Sequence, residues 1–242
     1  MNRVKLTGEF DKMMLSRSQK YIMVLFSVLM MCFPVVLLHA QTVKHVVVID
    51  PAHGGEDTGV VGVDKIAEKD LTLAIAQALK KELAQNANLE VVLTRDSDKM
   101  VSLAERRKNI LKIQPAIVLS LHINAGFGKT SSGFEMYYPG FQEKDESLKK
   151  KTRKGDAGDE KKYLSDTVRL SRLVQKNLNG LFPRKGRGLR EADVPLGEDL
   201  ALPVLTVEMG FATNPEEKKK LESGKIQKDI ARALAKSIKS FF

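Results

Sequence analysis

The sequence predicts an α/β layered fold around a mixed sheet. Short apolar runs rich in β-branched residues alternate with segments whose apolar side chains recur at helical spacing. Glycine and proline mark the boundaries between them. Three of the apolar runs end at or beside a histidine or a glutamate, and the carboxyl edge of such a sheet is where ligands sit.

The first run, residues 46–49, leads into V-V-V-I-D-P-A-H-G-G and reads as a buried strand. Pro51 ends it by removing a backbone donor. Gly54 and Gly55 let the chain turn tightly just after His53. A glycine-rich loop at 54–62 follows, and then a helix over 68–83 with Leu71, Ile75, Ala78, Leu79 and Leu83 on one face. Residues 89–93 read as a strand, and 102–113 as a helix opened by Ser102. Residues 116–121 form a third buried strand ending at His122, and 134–138 a fourth, stopped by Pro139-Gly140. The charge-dense stretch 142–162 has almost no apolar residues and reads as a solvated insert. A helix is expected over 164–181, a glycine- and charge-rich loop over 183–199, and a strand over 204–207 ending at Glu208. Asn214-Pro215 opens a short helix, and 224–242 closes the chain as an amphipathic one.

The length of 242 residues suits one domain of about 200 residues behind a leader. Residues 21–38 are nearly pure hydrocarbon, preceded by Arg17 and Lys20, the pattern of a basic region followed by an apolar one. Residues 1–40 are therefore expected to be a signal peptide or a membrane anchor, with 41–242 as the working domain. Without the leader the chain keeps 35 basic against 28 acidic side chains, a net +7, which favours anionic partners. No basic patch interleaved with aromatics is present, so nucleic acid is not expected. The only cysteine, Cys32, lies in the leader, so a metal in the domain must use His, Asp or Glu.

If the strands preceding His53, His122 and Glu208 run parallel, these side chains gather on one edge, and Glu68 at the start of the next helix returns to it. Two histidines, one glutamate and a further glutamate match a catalytic zinc site with three protein ligands, an open position and a nearby base. Each residue alone has a plainer reading. The histidines could be hydrogen-bonded cleft residues, and Glu68 a carboxylate at the positive end of a helix. Glu208 could be a structural ion pair with Arg95, and His39 and His45 read as incidental.

The segments D-P-A-H-G-G, E-K-D-L-T-L-A-I-A, L-T-R-D-S-D, S-L-A-E-R, S-L-H-I-N-A, G-F-E-M-Y-Y and P-V-L-T-V-E-M-G-F-A-T-N-P-E-E occur in this order. Together they resemble the zinc-dependent N-acetylmuramoyl-L-alanine amidases of bacterial cell walls, the amidase-3 family, over about residues 45–242. The resemblance implies a single α/β domain whose mostly parallel twisted sheet is flanked by helices on both faces. It implies His53, Glu68 and His122 as ligands of one Zn2+ and Glu208 as the catalytic residue. It further implies peptidoglycan as substrate and hydrolysis of the amide between the lactyl group of muramic acid and L-alanine. The expected location is the periplasm or cell envelope, with any membrane contact through the N-terminal segment only. The protein is expected to act as a monomer, with a protein activator left open. Asn124 and Arg190 are candidate substrate contacts.

Two departures from the family pattern stand out. Ala52 occupies a position where the family usually has glycine, which is harmless if the backbone there is ordinary. The 142–162 insert is short and lacks an apolar stripe, so a linker is expected in place of a docked blocking helix. No separate wall-binding domain is read at either end. A peptidase acting on the stem peptide and a non-catalytic wall-binding module are the rival readings.

Overall fold

Residues 47–51 are buried, and the strand they belong to, β1 (His45–Pro51), lies inside the sheet between two parallel neighbours. The structure is a computed structural model that describes residues 16–22, 25, 44–61, 67–140, 157–182, 185–198 and 200–242. The leader expected at 1–40 lies outside them except for 16–22 and 25. Among the described residues no helix is long and apolar enough to cross a membrane.

Val43–Phe242 forms one unit. After β1 come α1 (Glu68–Leu83), β2 (Leu89–Leu93), α2 (Leu103–Ile113), β3 (Ile117–Asn124) and β4 (Phe134–Pro139). Then follow α3 (Ala157–Leu178), β5 (Gly186–Ala192), a 3-10 turn (Pro195–Gly197), β6 (Val204–Phe211), α4 (Pro215–Glu222) and α5 (Gly224–Phe241). The six strands are ordered β2-β1-β3-β6-β4-β5, and only the β4–β6 pair is antiparallel. The mostly parallel α/β sheet expected from the family resemblance is therefore present.

Alternation along the strands decides what each face holds. Val47, Ile49, Leu119, Leu121, Leu205 and Val207 face one way, into a core shared with α1, α3 and α5. Val48, Val118 and Val204 face the other way and pack with Ile110 of α2 and with Leu196 and Leu200. Along this second face the residues change character toward the carboxyl ends. Val48 gives way to Asp50, Val118 to Ser120 and His122, and Val204 to Thr206 and Glu208, all in register.

Several boundaries differ from expectation. His122 and Glu208 lie within their strands, because Ile123, Met209 and Phe211 continue the buried alternation beyond them. The loop expected at 183–199 contains β5. This edge strand pairs only with β4 and none of its residues is fully buried, so nothing selects the β-branched apolar residues that make a strand legible. The α3 helix starts at Ala157, not 164, because the Glu and Lys residues at its start are good helix formers. It ends at Leu178, shortly before Gly180. The rest of the charged stretch, residues 142–156, lies outside the described residues. Ser102 caps α2 by accepting from the Glu105 N–H, as its position suggested.

Candidate metal centre

The end of β1 is held by two buried arginines. Arg95 donates to the carbonyls of Pro51 and Ala52 at 2.9 and 2.8 Å. Arg106 donates to the carbonyls of Pro51 and His53 at 2.8 and 2.5 Å and pairs with Asp50 at 2.6 Å. Asp50 also accepts from Thr94 Oγ1 and Ser120 Oγ, so its buried charge is fully engaged. Arg95, the partner considered for Glu208, is instead spent on these backbone oxygens. The alternative reading of Glu208, an ion pair with Arg95, is not borne out.

This grip bears on His53, whose φ is +61°, an unusual value for a residue with a side chain. Such a conformation costs on the order of 1–3 kcal/mol and persists only where the surroundings over-determine it. Ala52 has no positive φ, so the alanine there causes no strain. Gly54 has no room for a side chain, since a Cβ would lie 2.4 Å from the Lys99 carbonyl.

His53, Glu68 and His122 come together. Each offers one ligand atom, and these atoms all lie within 4.8 Å of one another. His53 Nε2 is 3.1 Å from Glu68 Oε2, and His122 Nδ1 is 3.1 Å from Glu68 Oε1. Glu68 is the first residue of α1, and its carboxylate also accepts from the Val60 and Ile123 N–H groups at 3.0 Å each. Burial opposes its ionisation, yet the hydrogen bonds from His122 and His53 hold its carboxyl well below the usual range. The hydrogen bond to Glu68 raises His53 to about 9, against burial and with help from the Glu68 and Asp57 charges. Burial works to lower His122, but Glu68 and Glu208 outweigh it and the net shift is upward. The buried Glu68 carboxylate draws positive charge, here protons on the two histidines, and a set of two imidazoles and one carboxylate suits zinc.

Glu208 stands beside this cluster, in register with His122 on one side and Glu135 on the other. Its Oε2 is buried without a hydrogen-bond partner. Burial pushes its carboxyl up to about 7; the His122 charge works against this and the Glu68 and Glu135 charges with it. A carboxyl poised near neutrality next to a metal-type cluster can take and return a proton.

The cluster opens into a cleft of about 720 Å³ whose floor includes His53, His122 and Glu208. Val101, Leu103, Val194 and Leu196 supply apolar lining. Arg107 of α2 ties the 3-10 turn to that helix by donating its Nε–H to the Pro195 carbonyl at 2.9 Å. Asn124 turns to Glu135, donating at 2.9 Å, and Arg190 is exposed on β5 opposite Tyr137. Neither is among the residues lining the cleft. Sequence reasoning passed over Asp50, Arg106 and Asp57, which hold the first ligand in place. The only signal for Asp57 was its position four residues after His53.

The family model described as N-acetylmuramoyl-L-alanine amidase (Amidase_3) matches residues 47–240. The N-acetylmuramoyl-L-alanine amidase CwlM of Bacillus licheniformis is 31% identical over 196 residues, covering 80% of this chain and 67% of that protein. The amidase AmiC of Escherichia coli is 25% identical over 219 residues, covering 81% of this chain. The match spans about half, 52%, of the length of AmiC. Among solved structures, the catalytic domain of CwlV, an N-acetylmuramoyl-L-alanine amidase from Bacillus (Paenibacillus) polymyxa, superposes with a TM-score of 0.66 at 28% identity. That match covers 82% of this chain and 98% of the other.

Proposed function

The chain belongs to the Amidase_3 family of N-acetylmuramoyl-L-alanine amidases, and on that premise we propose that it cuts its amide with one zinc ion held by His53, Glu68 and His122. The bond is the one joining the lactyl group of N-acetylmuramic acid to L-alanine of the peptidoglycan stem peptide. The observation that carries the proposal is the meeting of three ligand atoms within 4.8 Å beside the unpartnered buried oxygen of Glu208.

When bound, zinc would supply a Lewis acid that acidifies water toward a pKa of about 7 and polarises the scissile carbonyl. Glu208 takes the proton of the attacking water and returns it to the departing L-alanine nitrogen. Hydroxide thereby adds to the lactyl carbonyl carbon, the C–N bond breaks, and the products are a lactyl carboxylate and a free stem-peptide amine. The cleft is open along the carboxyl edge of the sheet, which suits a polymer lying across it. Residues 41–242 act as the catalytic domain, and the end of the charged stretch expected at 142–162 belongs to α3, which begins at Ala157. The wall polymer lies outside the cytoplasmic membrane, so the basic and apolar leader at 1–40 acts in export, as a signal peptide or an anchor.

Digestion of purified sacculi in the presence of zinc, followed by mass spectrometry of the soluble fragments, tests this. Intact stem peptides with free L-alanine amino groups are expected, together with bare glycan strands. Fragments cut within the stem peptide would make the protein a peptidase, and tight binding with no release would make it a wall-binding module.

The raised histidines give the site a pH signature. At pH 7.5 the metal-free protein carries a proton on His53, whose value is about 9. Zinc loading must expel that proton, so affinity should rise with pH up to about 9 and loading should release protons. Calorimetry in two buffers of different ionisation enthalpy measures the number released. In the metal-free protein the sign reverses. The stability that protonated His53 contributes is complete below about 6.5 and is lost as pH rises through about 9.

A further inference from the structure

A short loop between the first two ligands touches both of them. Gly54 and Asp57 exchange backbone hydrogen bonds, 2.8 Å from the Gly54 N–H and 3.2 Å from the Asp57 N–H, closing a tight turn. That turn brings the Asp57 carboxylate back onto the His53 ring, with Nδ1 2.9 Å from both Oδ1 and Oδ2. The Gly59 N–H donates to Asp57 Oδ1 at 3.1 Å. One residue later the Val60 N–H holds Glu68 Oε2, while the Glu68 N–H donates to the Val60 carbonyl at 2.9 Å. Gly59 lies against both ligands. Its φ is +63°, and a Cβ there would stand 2.5 Å from His53 Cδ2 and 2.7 Å from Glu68 Oε2.

We infer that Asp57 is a positioning residue that fixes the His53 ring and tautomer for metal ligation. A carboxylate only accepts hydrogen bonds, so Nδ1 must carry the hydrogen. Nε2, the nitrogen that faces Glu68, is then the one that gives up its proton on loading and ligates. Asp57 meets the ring at Nδ1, away from the Nε2 edge that faces Glu68, and it stands outside the group of residues whose ligand atoms converge. Its role is therefore orientation, not ligation. Carboxylates placed on the far nitrogen of a ligating histidine raise its basicity and set its direction, and losing one typically costs about 10–100-fold in metal affinity. The inference rests on the metal-centre reading of His53, Glu68 and His122.

The test is competition between the full-length protein and a chromogenic chelator for zinc, with no substrate present. Asp57→Ala should bind zinc about 10–100-fold more weakly. Asp57→Asn, whose amide oxygen can still accept from Nδ1–H, should recover most of the loss. A purely structural role would lower the metal-free melting temperature of both variants alike and would not separate their zinc affinities. Wild-type affinity in Asp57→Ala, or equal loss in both variants, overturns the inference. His53→Ala serves as the reference. If it too binds zinc like wild type, the metal-centre reading fails; if it loses zinc while Asp57→Ala keeps it, only the positioning role of Asp57 fails.

Discussion

Glu208→Ala should keep zinc and lose about 10²–10⁴-fold in turnover, the range associated with removing a positioned acid–base group. The loss should fall on kcat with little change in KM, because Glu208 acts on the water and the leaving amine and not on the rest of the polymer. Fragment release from sacculi at saturating substrate, with zinc content measured on the same sample, reads both quantities. Full turnover in the zinc-loaded variant would remove Glu208 from the mechanism. A second consequence follows from its burial. Its folded-state value of about 7 lies above the ordinary 4.5, so its favourable contribution is complete below about 4.5 and is lost as pH rises through about 7. Above pH 7 the metal-free protein therefore carries a carboxylate that its surroundings disfavour. Glu208→Gln should raise the melting temperature of metal-free protein at pH 8, a sign that the residue is kept for chemistry at the expense of stability.

His53→Ala should lose both metal and activity. Removing one of three protein ligands leaves an incomplete coordination set, and Glu68 loses a partner that holds its buried charge. Wild-type protein stripped by a chelator should regain turnover when zinc is returned, whereas His53→Ala should stay inactive at the same zinc concentration. Zinc-independent hydrolysis by stripped wild type would overturn the metal mechanism outright. Because His53 sits at φ +61° under the grip of Arg106, the variant also tests whether that conformation is held for the ring alone. Glycine adopts the left-handed region without the Cβ penalty, so the stability gained by His53→Gly over His53→Ala would measure the stored strain.

The parts of the fold that showed in the sequence were those whose physics is local. The strands β1 and β3 are largely buried on both faces and read as short apolar runs. The α2 helix announced itself through Ser102, and α4 through Asn214 and Pro215. The β5 strand did not show, because Gly186–Ala192 earns its place by backbone pairing with β4 at an exposed edge and buries little. The start of α3 was hidden for the opposite reason: charged residues masked a segment that is helical because it continues an amphipathic helix.

By itself, the sequence determined the ligand types and their order along the chain. Apolar runs leading to His53, His122 and Glu208 and a helix start at Glu68 would gather on one sheet edge if the strands ran parallel, a condition that residue order alone leaves open. Only the tertiary structure decided that β1, β3 and β6 lie side by side and parallel, which brings the ligand atoms to within 4.8 Å. It alone decided that Arg95 is engaged with backbone carbonyls and not with Glu208, that Glu208 Oε2 is buried without a partner, and that Asp57 turns back onto His53. These depend on distances between residues far apart in the chain or folded through a tight turn. Burial and charge act through space, so the pKa values that poise Glu208 and His53 cannot be assigned before the chain is folded.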